Sequence, residues 1–229
     1  MHVSEQKKAA GERAADYVKD GMILGLGTGS TAYYATLKIG ERVADGLRVQ
    51  AVATSRETER LAASLGIPLL RMDEAARIDL AIDGVDEIDG EFNAIKGGGG
   101  ALFREKMVAG LAAQVIWVMD GSKLVDKIGA FPLAVEISPF GCAHVMKKLE
   151  AFSTQQTLRV RDGAAFVTDN GNHIADIVIR DSLDLQELAQ NLKSITGVLE
   201  SGLFLNMCDR IIAATETGVQ VIENKNKGA

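Results

Sequence analysis

Two spacings of apolar residues alternate along the first 120 residues of the chain. Short, nearly continuous apolar runs are typical of buried strands. They lie at Met22–Leu26, Leu47–Ala53, Pro68–Leu70, Ile78–Ile82 and Gln114–Met119. The segments between them carry the 3.6-residue spacing of amphipathic helices, which we expect at Ser4–Val18 (with Ser4 as N-cap), Thr31–Ile39, Arg56–Leu65 and Ala101–Ala112. Alternating strands and helices predict an α/β fold with a Rossmann-like parallel sheet and helices on both faces.

The pattern changes after Phe131-Pro132. Strands at LAVEIS, LRVRD, AAFVT and IADIVIR and helices at CAHVMKKLEAF and LQELAQNLKSI follow one another there, with the turn DNGN between the last two strands. This order predicts a small α+β module with an antiparallel, ferredoxin-like sheet. From about Leu205 the chain carries the run RIIAATETGVQVIE, which supplies a last strand to the first sheet. We therefore expect a first domain at residues 1–131 and 206–229, with residues 132–205 inserted as a second.

Composition limits the partners. The 229 residues carry a formal net charge of −6, so no basic footprint favours nucleic acid. No window approaches the roughly 18 apolar residues that a membrane span needs, and the polar N-terminal segment lacks the apolar core of a signal peptide. Cys142 and Cys208 show no metal-type spacing and no disulfide framework, and we interpret them as reduced, largely buried thiols. The sequence predicts a cytoplasmic protein without a membrane partner.

The first loop whose residues are suited to ligand binding is GLGTGSTA, Gly25 to Ala32, between a predicted strand and a predicted helix. Glycines let backbone N–H groups approach a ligand, and a helix N-terminus offers unpaired donors and a positive dipole. A dinucleotide fingerprint would need glycine at Ser30 and an acidic residue after the second strand, where Val52-Ala53-Thr54 stands. A loop whose glycines only turn the chain is the plain alternative. The pattern favours a phosphate monoester.

The second loop runs from Asp83 to Gly100 as DGVDEIDGEFNAIKGGGG. Asp83 and Asp86 follow a buried strand, so their carboxylates should reach the ligand crevice, where they could move hydroxyl protons or hold a divalent cation. Lys96 precedes four glycines, a run that costs backbone entropy without core packing. The run predicts a tight turn that folds amides and a lysine charge around an oxyanion, with a disordered tip as the alternative.

Glu105 lies in the early turns of the helix that follows the glycines. From position alone, most such glutamates offset the helix dipole or pair with a neighbour such as Arg104. Lys123, after the turn Gly121-Ser122, is equally consistent with a crevice edge and with a surface loop. His144 and His173 have no partner at ligand or triad spacing, and we interpret both as structural.

Taken in order, these segments resemble the ribose-5-phosphate isomerase type A family. The resemblance rests on GLGTGST at Gly25, DGVDE at Asp83, KGGGGAL at Lys96, REK around Glu105 and GSK ending at Lys123. FPLAVEISPF, FVTDNGN and GLF at Gly202 extend it through the insert, so that it covers nearly the whole chain. The connector AFSTQQTLRVRDGAA, which lacks an expected glycine pair before Arg159, and the segment around Cys208 depart from it.

The resemblance implies an isomerase of the pentose phosphate pathway that interconverts D-ribose 5-phosphate and D-ribulose 5-phosphate without metal or organic cofactor. It implies Glu105 as the base that moves a proton between C2 and C1 through a cis-enediolate. Asp83 and Lys96 match positions near the reacting oxygens, with Asp83 assisting ring opening. It implies a homodimer or homotetramer, in which the insert serves as a lid and in assembly. The implied substrate contacts are Thr28, Gly29, Ser30, Thr31, Asp83, Gly84, Val85, Asp86, Lys96, Gly97, Gly98, Gly99, Lys123 and Lys7, with Lys8 as an alternative to Lys7.

Three other functions remain as alternatives. A glucosamine-6-phosphate deaminase-like enzyme would need a histidine in the three loops, and none is present. A phosphosugar sensor would need an attached DNA-binding region, for which the chain has no spare length. A metal-dependent isomerase would use Asp83 and Asp86 as ligands.

Overall fold

The computed structural model describes residues 1–180, 183–225 and 227, and the chain divides into two compact units. The first unit comprises Met1–Val85, Arg104–Leu124 and Asn206–Ala229, and the second comprises Asp86–Phe103 and Val125–Leu205. Residues 86–103 and 125–131 thus group with the second unit by their contacts. The domain boundaries at 131/132 and 205/206 stay a prediction. Residues 181, 182, 226, 228 and 229 of the two predicted domains lie outside the described residues.

The elements follow in chain order. The helices are α1 (Val3–Ala15), α2 (Ser30–Ala44), α3 (Arg56–Ser64), α4 (Leu102–Leu111), α5 (Cys142–Leu149) and α6 (Leu185–Ser194). The strands are β1 (Ile23–Leu26), β2 (Gln50–Ala53), β3 (Ile78–Gly84), β4 (Glu87–Ile88), β5 (Asn93–Ile95), β6 (Ala112–Asp120), β7 (Leu133–Ile137), β8 (Ser153–Leu158), β9 (Val160–Arg161), β10 (Ala164–Ala165), β11 (His173–Ile179), β12 (Val198–Ser201), β13 (Leu203–Leu205), β14 (Arg210–Thr215) and β15 (Gly218–Glu223). No helix in the described part of the chain combines the length and apolar character that crossing a bilayer requires.

The first unit is built on a six-stranded sheet in the order β15-β14-β6-β3-β1-β2. The five strands from β14 to β2 are parallel, and β15 pairs antiparallel with β14 at one edge. Apolar side chains of these strands form the core with small residues of α1 and α2, among them Ala14 and Ala35. The predicted parallel sheet is confirmed. Because the parallel strands run the same way, the residues that follow β1, β2, β3 and β6 all lie at the carboxyl ends of the strands, which we call the strand-end edge of the sheet.

The second unit contains a four-stranded antiparallel sheet in the order β12-β7-β11-β8. Numbered along the chain, these strands lie in the order 4-1-3-2, and α5 and α6 are the two crossover helices, as in the predicted ferredoxin-like module. The buried face carries Leu133, Val135, Ala175 and Ile177, against which Leu149 of α5 and Leu188 and Leu192 of α6 are packed. A smaller sheet, β13-β5-β4, lies in the same unit.

Several predicted boundaries are wrong for local reasons. Helix α1 begins at Val3 with His2 as N-cap, because the carboxylate of Glu5 accepts the His2 backbone N–H at 2.8 Å. The apolar run Pro68–Leu70 forms only a single bridge, between Leu69 and Ala51. Strand β8 lies in the polar segment STQQTL, which lacks apolar alternation because it is an edge strand. The C-terminal run supplies two strands, β14 and β15, and not one.

The DNGN segment is not the turn of a two-stranded hairpin. Residues Ala164–Ala165 pair with β9, and β11 pairs with β7 and β8. The side chains of Thr168, Asn170 and Asn172 donate instead to Oε1 of Glu136, a carboxylate with no exposed surface on β7. Burying a carboxylate requires such donors, so the sequence of this turn serves the core and not strand pairing.

The two cysteines differ in exposure. Cys208 is fully buried and Cys142 is half-buried, and neither forms a disulfide. Burial raises the pKa of the Cys208 thiol to about 12. Since the thiolate is the reactive form, Cys208 stays an inert packing residue at neutral pH.

Candidate active site

The first glycine loop lies at the strand-end edge of the first unit. Gly27 continues the sheet ladder by donating its N–H to Ile82 O at 2.9 Å. A Cβ at Gly27 would lie 2.1 Å from Oδ1 of Asp83, so the close approach of β1 and β3 leaves room only for glycine. Gly29, with φ of 105°, then opens the 15-residue helix α2. The loop therefore presents the N-terminus of α2 at the edge of the sheet.

A cluster of hydroxyl groups fixes the first loop from β2 and α3. Thr28 Oγ1 lies 2.8 Å from both Thr54 Oγ1 and Ser55 Oγ, and Thr58 Oγ1 donates to Gly27 O at 2.9 Å. Ser55 also caps α3 by accepting the Thr58 N–H. The hydroxyl and the N–H of Thr28 are thus both engaged with the protein.

A cavity of about 770 Å³ lies beside this helix N-terminus. Lys7, Gly29, Ser30 and Tyr33 are among its lining residues. Lys8 does not line it and forms an exposed ion pair with Glu12 instead. The positive end of a helix and a lysine ammonium both favour an anion, which supports Lys7 over Lys8 as the implied phosphate contact.

Asp83 and Lys123 lie on neighbouring strand ends of the same sheet edge. Asp83, at the end of β3, is 3% exposed, and its Oδ1 accepts the N–H groups of Thr28 at 2.9 Å and Gly84 at 2.7 Å. Strand β3 pairs with β6, and β6 runs into the turn Gly121–Lys123, which Asp120 caps through Ser122 N–H. These bonds fix Asp83 Oδ1 and the backbone of the turn that carries Lys123.

Glu105 is a buried residue of α4, with 5% of its surface exposed. Val108, one turn later, is also buried, and its Cγ1 would lie 2.4 Å from a Cβ placed on Gly25 of β1. Residues three apart share a face of a helix, so Glu105 lies on the face that α4 turns toward the sheet. A solvated, dipole-offsetting glutamate, which position alone favoured, does not fit this burial.

In the second unit, Lys96 follows β5 and is held by β13. Its N–H donates to Gly202 O at 2.9 Å, and the Gly202 N–H donates to Ala134 O on β7 at 2.7 Å. The side chain is 2% exposed, with its ammonium 5.4 Å from the centre of the Phe204 ring. The lysine is therefore a buried cation held by the small sheet and not a solvated surface group.

The glycine run after Lys96 is a hydrogen-bonded turn. Gly98 N–H donates to Asp86 Oδ2 at 2.8 Å, and Gly100 N–H donates to Gly97 O at 2.9 Å. A Cβ on Gly100, which has φ of 84°, would lie 2.4 Å from the Phe166 ring. The disordered tip considered from the sequence is excluded, and Asp86 is a structural partner of the turn.

Other predicted residues take the following places. Thr31 is buried in the first turn of α2, Gly84 ends β3, and Val85 is the last residue before the chain enters the second unit. His144 is exposed on α5, and His173 Nδ1 lies 3.0 Å from Phe166 O, in keeping with structural roles. Among the residues that the structure describes, no three His, Cys, Asp or Glu side chains converge as a metal site would require.

Four supporting residues were not expected from the sequence. Thr54, Ser55 and Thr58 brace the first loop, and Arg159 donates to two carbonyls of the second. Ser55 before a first turn that contains Glu57 is a helix-start signal that could have indicated the cap of α3. Arg159 gave no signal, because its partners lie about 60 residues away in the chain.

Comparison with known proteins points to one family. The model of the family described as ribose 5-phosphate isomerase A (phosphoriboisomerase A) matches residues 50–218. A ribose-5-phosphate isomerase A of Listeria monocytogenes serovar 1/2a is 50% identical over 214 residues, which cover 93% of this chain and 96% of the relative. One from Streptococcus pneumoniae is 45% identical and covers 96% and 98% of the two chains.

Solved structures show the same similarity. The ribose 5-phosphate isomerase of Plasmodium falciparum superposes with a TM-score of 0.93 at 36% identity, covering 97% of this chain and 99% of the other. A D-ribose-5-phosphate isomerase in complex with phospho-erythronic acid gives a TM-score of 0.94 at 35% identity, covering 98% and 100%.

Proposed function

Because the chain belongs to the ribose 5-phosphate isomerase A family, we propose that it interconverts D-ribose 5-phosphate and D-ribulose 5-phosphate by proton transfer through a cis-enediolate. Isomerisation of this sugar phosphate is the family's activity, and the residue roles are our proposal. The structural observation that carries it is the cavity at the N-terminus of α2, which Lys7, Gly29 and Ser30 help to line. A 5-phosphate held there anchors the substrate by its non-reacting end.

Remote binding of this kind serves catalysis. The phosphate does not change during isomerisation, so the free energy of its binding can be used to orient C1 and C2. Lys7 supplies a full charge and the amides at the start of α2 supply directed donors. Lys123, at the end of β6, is proposed as a further cationic contact. We also propose that Thr31 and Gly84–Val85 shape the ligand cleft through their backbone.

Glu105 is proposed as the base. Its carboxylate takes the proton from C2 of the open-chain aldose, and the electron pair forms the C1–C2 double bond as the C1 carbonyl becomes an oxyanion. A proton passes from the C2 hydroxyl to the C1 oxygen. Glu105 then returns its proton to C1, which leaves a C2 ketone and a C1 hydroxyl. Burial on the sheet-facing side of α4 keeps the carboxylate in place.

Two further groups are proposed to act on the oxygens. Asp83, held at one oxygen by two amides, uses its other oxygen to move the C1 hydroxyl proton during opening of the furanose ring. Lys96 and the Gly99 amide stabilise the developing oxyanion, and Gly97 and Gly98 form the turn that carries this amide. Each donor of this kind, fixed in place before the reaction, raises kcat by about 10²–10³-fold.

Phospho-erythronic acid gives a direct probe of these roles. Its carboxylate resembles the planar, charged C1–C2 unit of the enediolate, and its phosphate resembles that of the substrate. An isomerase that superposes closely on this chain is in complex with it. We expect this chain to bind it more tightly than inorganic phosphate, because phospho-erythronic acid carries a carboxylate in addition to the phosphate.

Other parts of the account are also proposals. The pathway assignment to the non-oxidative pentose phosphate pathway, the cytoplasmic location and the homodimer or homotetramer follow from the sequence and the resemblance. So does a reaction without metal or organic cofactor, against which stands the alternative that Asp83 and Asp86 hold a divalent cation. The bonds of Asp83 and Asp86 to backbone amides support the cofactor-free proposal.

An assay of the purified protein with ribose 5-phosphate tests the function and the metal question together. We expect ribulose 5-phosphate to form at the same rate before and after exhaustive treatment with EDTA. A preparation that is folded and inactive toward ribose 5-phosphate contradicts the proposed function. Activity that EDTA abolishes and Mg²⁺ or Mn²⁺ restores contradicts metal independence alone.

A further inference from the structure

The second glycine turn needs a device that holds it in one conformation. Glycines give a backbone more conformational freedom than any other residue, yet an oxyanion donor is effective only when it is fixed before the reaction. Residues 97–100 supply four backbone amides after Lys96, and two of these, at Gly98 and Gly100, donate to acceptors within the protein. This inference rests on the proposed function, because it concerns how the turn meets the reacting oxygens.

Arg159 is the side chain that holds this turn. Its Nη1 donates to Gly97 O at 2.8 Å and to Gly98 O at 3.1 Å. Its Nε donates to Asp176 Oδ2 at 2.8 Å and its Nη2 to Asp176 Oδ1, so the carboxylate grips the guanidinium at two points. Arg159 and Asp176 are 14% and 20% exposed. Bidentate pairs of this kind fix orientation as well as distance.

An aromatic ring supports the guanidinium from one side. The Phe166 ring lies 5.8 Å from the Arg159 guanidinium carbon and occupies the space beside Gly100 that a Cβ would need. Arg161 stacks on the same ring at 4.4 Å, is exposed, and makes no hydrogen bond to the turn in the described part of the chain. Arg161 is therefore a natural control for Arg159.

The two carbonyl bonds decide where the amides point. In a planar trans peptide the N–H is directed opposite to the preceding C=O. Gly97 O points at Arg159, and the Gly98 N–H of the same peptide points to Asp86. Gly98 O also points at Arg159, so the Gly99 N–H is directed away from the guanidinium.

Gly99 carries the exposed amide of this turn that is available to a ligand, since Gly97 and Gly100 are buried. Gly98 N–H is taken by Asp86 and Gly100 N–H by Gly97 O. Within residues 1–180, 183–225 and 227, no protein group accepts the Gly99 N–H, and Gly99 is exposed. A guanidinium on the Gly98 carbonyl also polarises that peptide, which makes its N–H a stronger donor.

We propose that Arg159 is a positioning residue for isomerisation, which fixes the Gly98–Gly99 peptide so that the Gly99 N–H donates to the developing enediolate oxyanion. Arg159 acts through the turn and not on the substrate directly, because four of the five guanidinium N–H donors bind Gly97, Gly98 and Asp176. Asp176 holds the guanidinium in the orientation that the two carbonyls require. The effect is thus expected on the chemical step and not on the phosphate.

The test compares Arg159→Ala, Arg159→Lys and Arg161→Ala in the full chain. For Arg159→Ala we expect kcat to fall by about 10²-fold with little change in KM, the size of a lost oxyanion donor. Arg159→Lys should recover only part of the loss, since an ammonium cannot bind two carbonyls and grip Asp176 together. Arg161→Ala, which removes a cation from the same ring, should keep the wild-type kcat.

Binding measurements separate positioning from general destabilisation. We expect Arg159→Ala to lower the affinity for phospho-erythronic acid by at least about tenfold, while its affinity for inorganic phosphate stays that of the wild type. Wild-type kcat in Arg159→Ala, an equal loss in Arg161→Ala, or a parallel loss of phosphate binding overturns the proposal. If Arg159→Ala does not fold, Arg159→Lys decides by the same kcat and binding criteria. A wild-type protein inactive on ribose 5-phosphate contradicts the proposed function instead, whatever the variants do.

Discussion

Replacing Glu105 with glutamine is expected to lower kcat for ribose 5-phosphate by about 10²–10⁴-fold, the contribution of a positioned proton-transfer group. Glutamine keeps the size of the side chain and removes its basic oxygen. Because Glu105 is buried on the face of α4 toward the sheet, the substitution should leave the packing of Val108 against β1 in place. The steady-state rate of ribulose 5-phosphate formation measures the effect.

Two controls make the Glu105 result specific. Phospho-erythronic acid should still bind to Glu105→Gln, since its binding depends on donors and not on the base. Glu105→Asp keeps the carboxylate and shortens the side chain by one methylene. Its kcat should therefore lie between those of the wild type and Glu105→Gln. A Glu105→Gln enzyme with undiminished kcat contradicts the assignment of the base.

Replacing Lys96 with methionine is expected to lower kcat by about 10²–10³-fold, the loss expected for one oxyanion donor. Methionine keeps the length and the contact with the Phe204 ring while it removes the charge. The backbone bond from Lys96 to Gly202 does not depend on the side chain, so β5 and β13 should stay paired. The separate changes in kcat and KM are the measurement.

Lys7→Met and Lys8→Met provide the comparison for Lys96→Met. Lys7 lines the cavity at the start of α2, so its loss should raise KM more than it lowers kcat. Lys8 pairs with Glu12 on the surface, so Lys8→Met should leave kcat and KM unchanged. A Lys96→Met enzyme that changes only KM, as Lys7→Met is expected to, places Lys96 at the phosphate and contradicts its role at the oxyanion.

The sheet of the first unit was predictable because its central strands are largely buried. The runs that became β1, β3 and β6 are apolar almost throughout, which indicates a parallel strand between helices. The order of the strands was not predictable, since pairing between β6 and β14 joins segments about 95 residues apart. The edge strand β8 was missed for the converse reason, because its polar sequence carries no apolar alternation.

The glycine loops of the site could be located from composition, but their supports could not. The glycines of residues 25–29 and the run after Lys96 indicate close backbone approach, whatever the fold. The carbonyl bonds of Arg159 and the hydroxyl cluster around Thr28 depend on residues far apart in sequence. The role of the DNGN segment was predicted wrongly for the same reason, because the side chain it binds, Glu136, lies more than 30 residues away in the sequence.

The role of Glu105 needed more than its position. Near the start of a helix, a glutamate that binds substrate and one that offsets the dipole have the same local sequence. The family resemblance assigned the role, and burial on the sheet-facing side of α4 supports it. What the sequence lacked was the direction in which α4 turns this side chain, which depends on packing of Val108 against β1.

The hydrogen at C1 of the product tests the central claim, proton transfer through an enediolate, most directly. The wild-type protein is incubated with ribose 5-phosphate in D₂O, and ribulose 5-phosphate from the first turnovers is examined by NMR. We predict deuterium from solvent at C1, because the proton held by a carboxylate exchanges with water before it returns. Product that carries no solvent deuterium, with the C2 hydrogen fully retained at C1, would contradict the account and indicate a hydride shift.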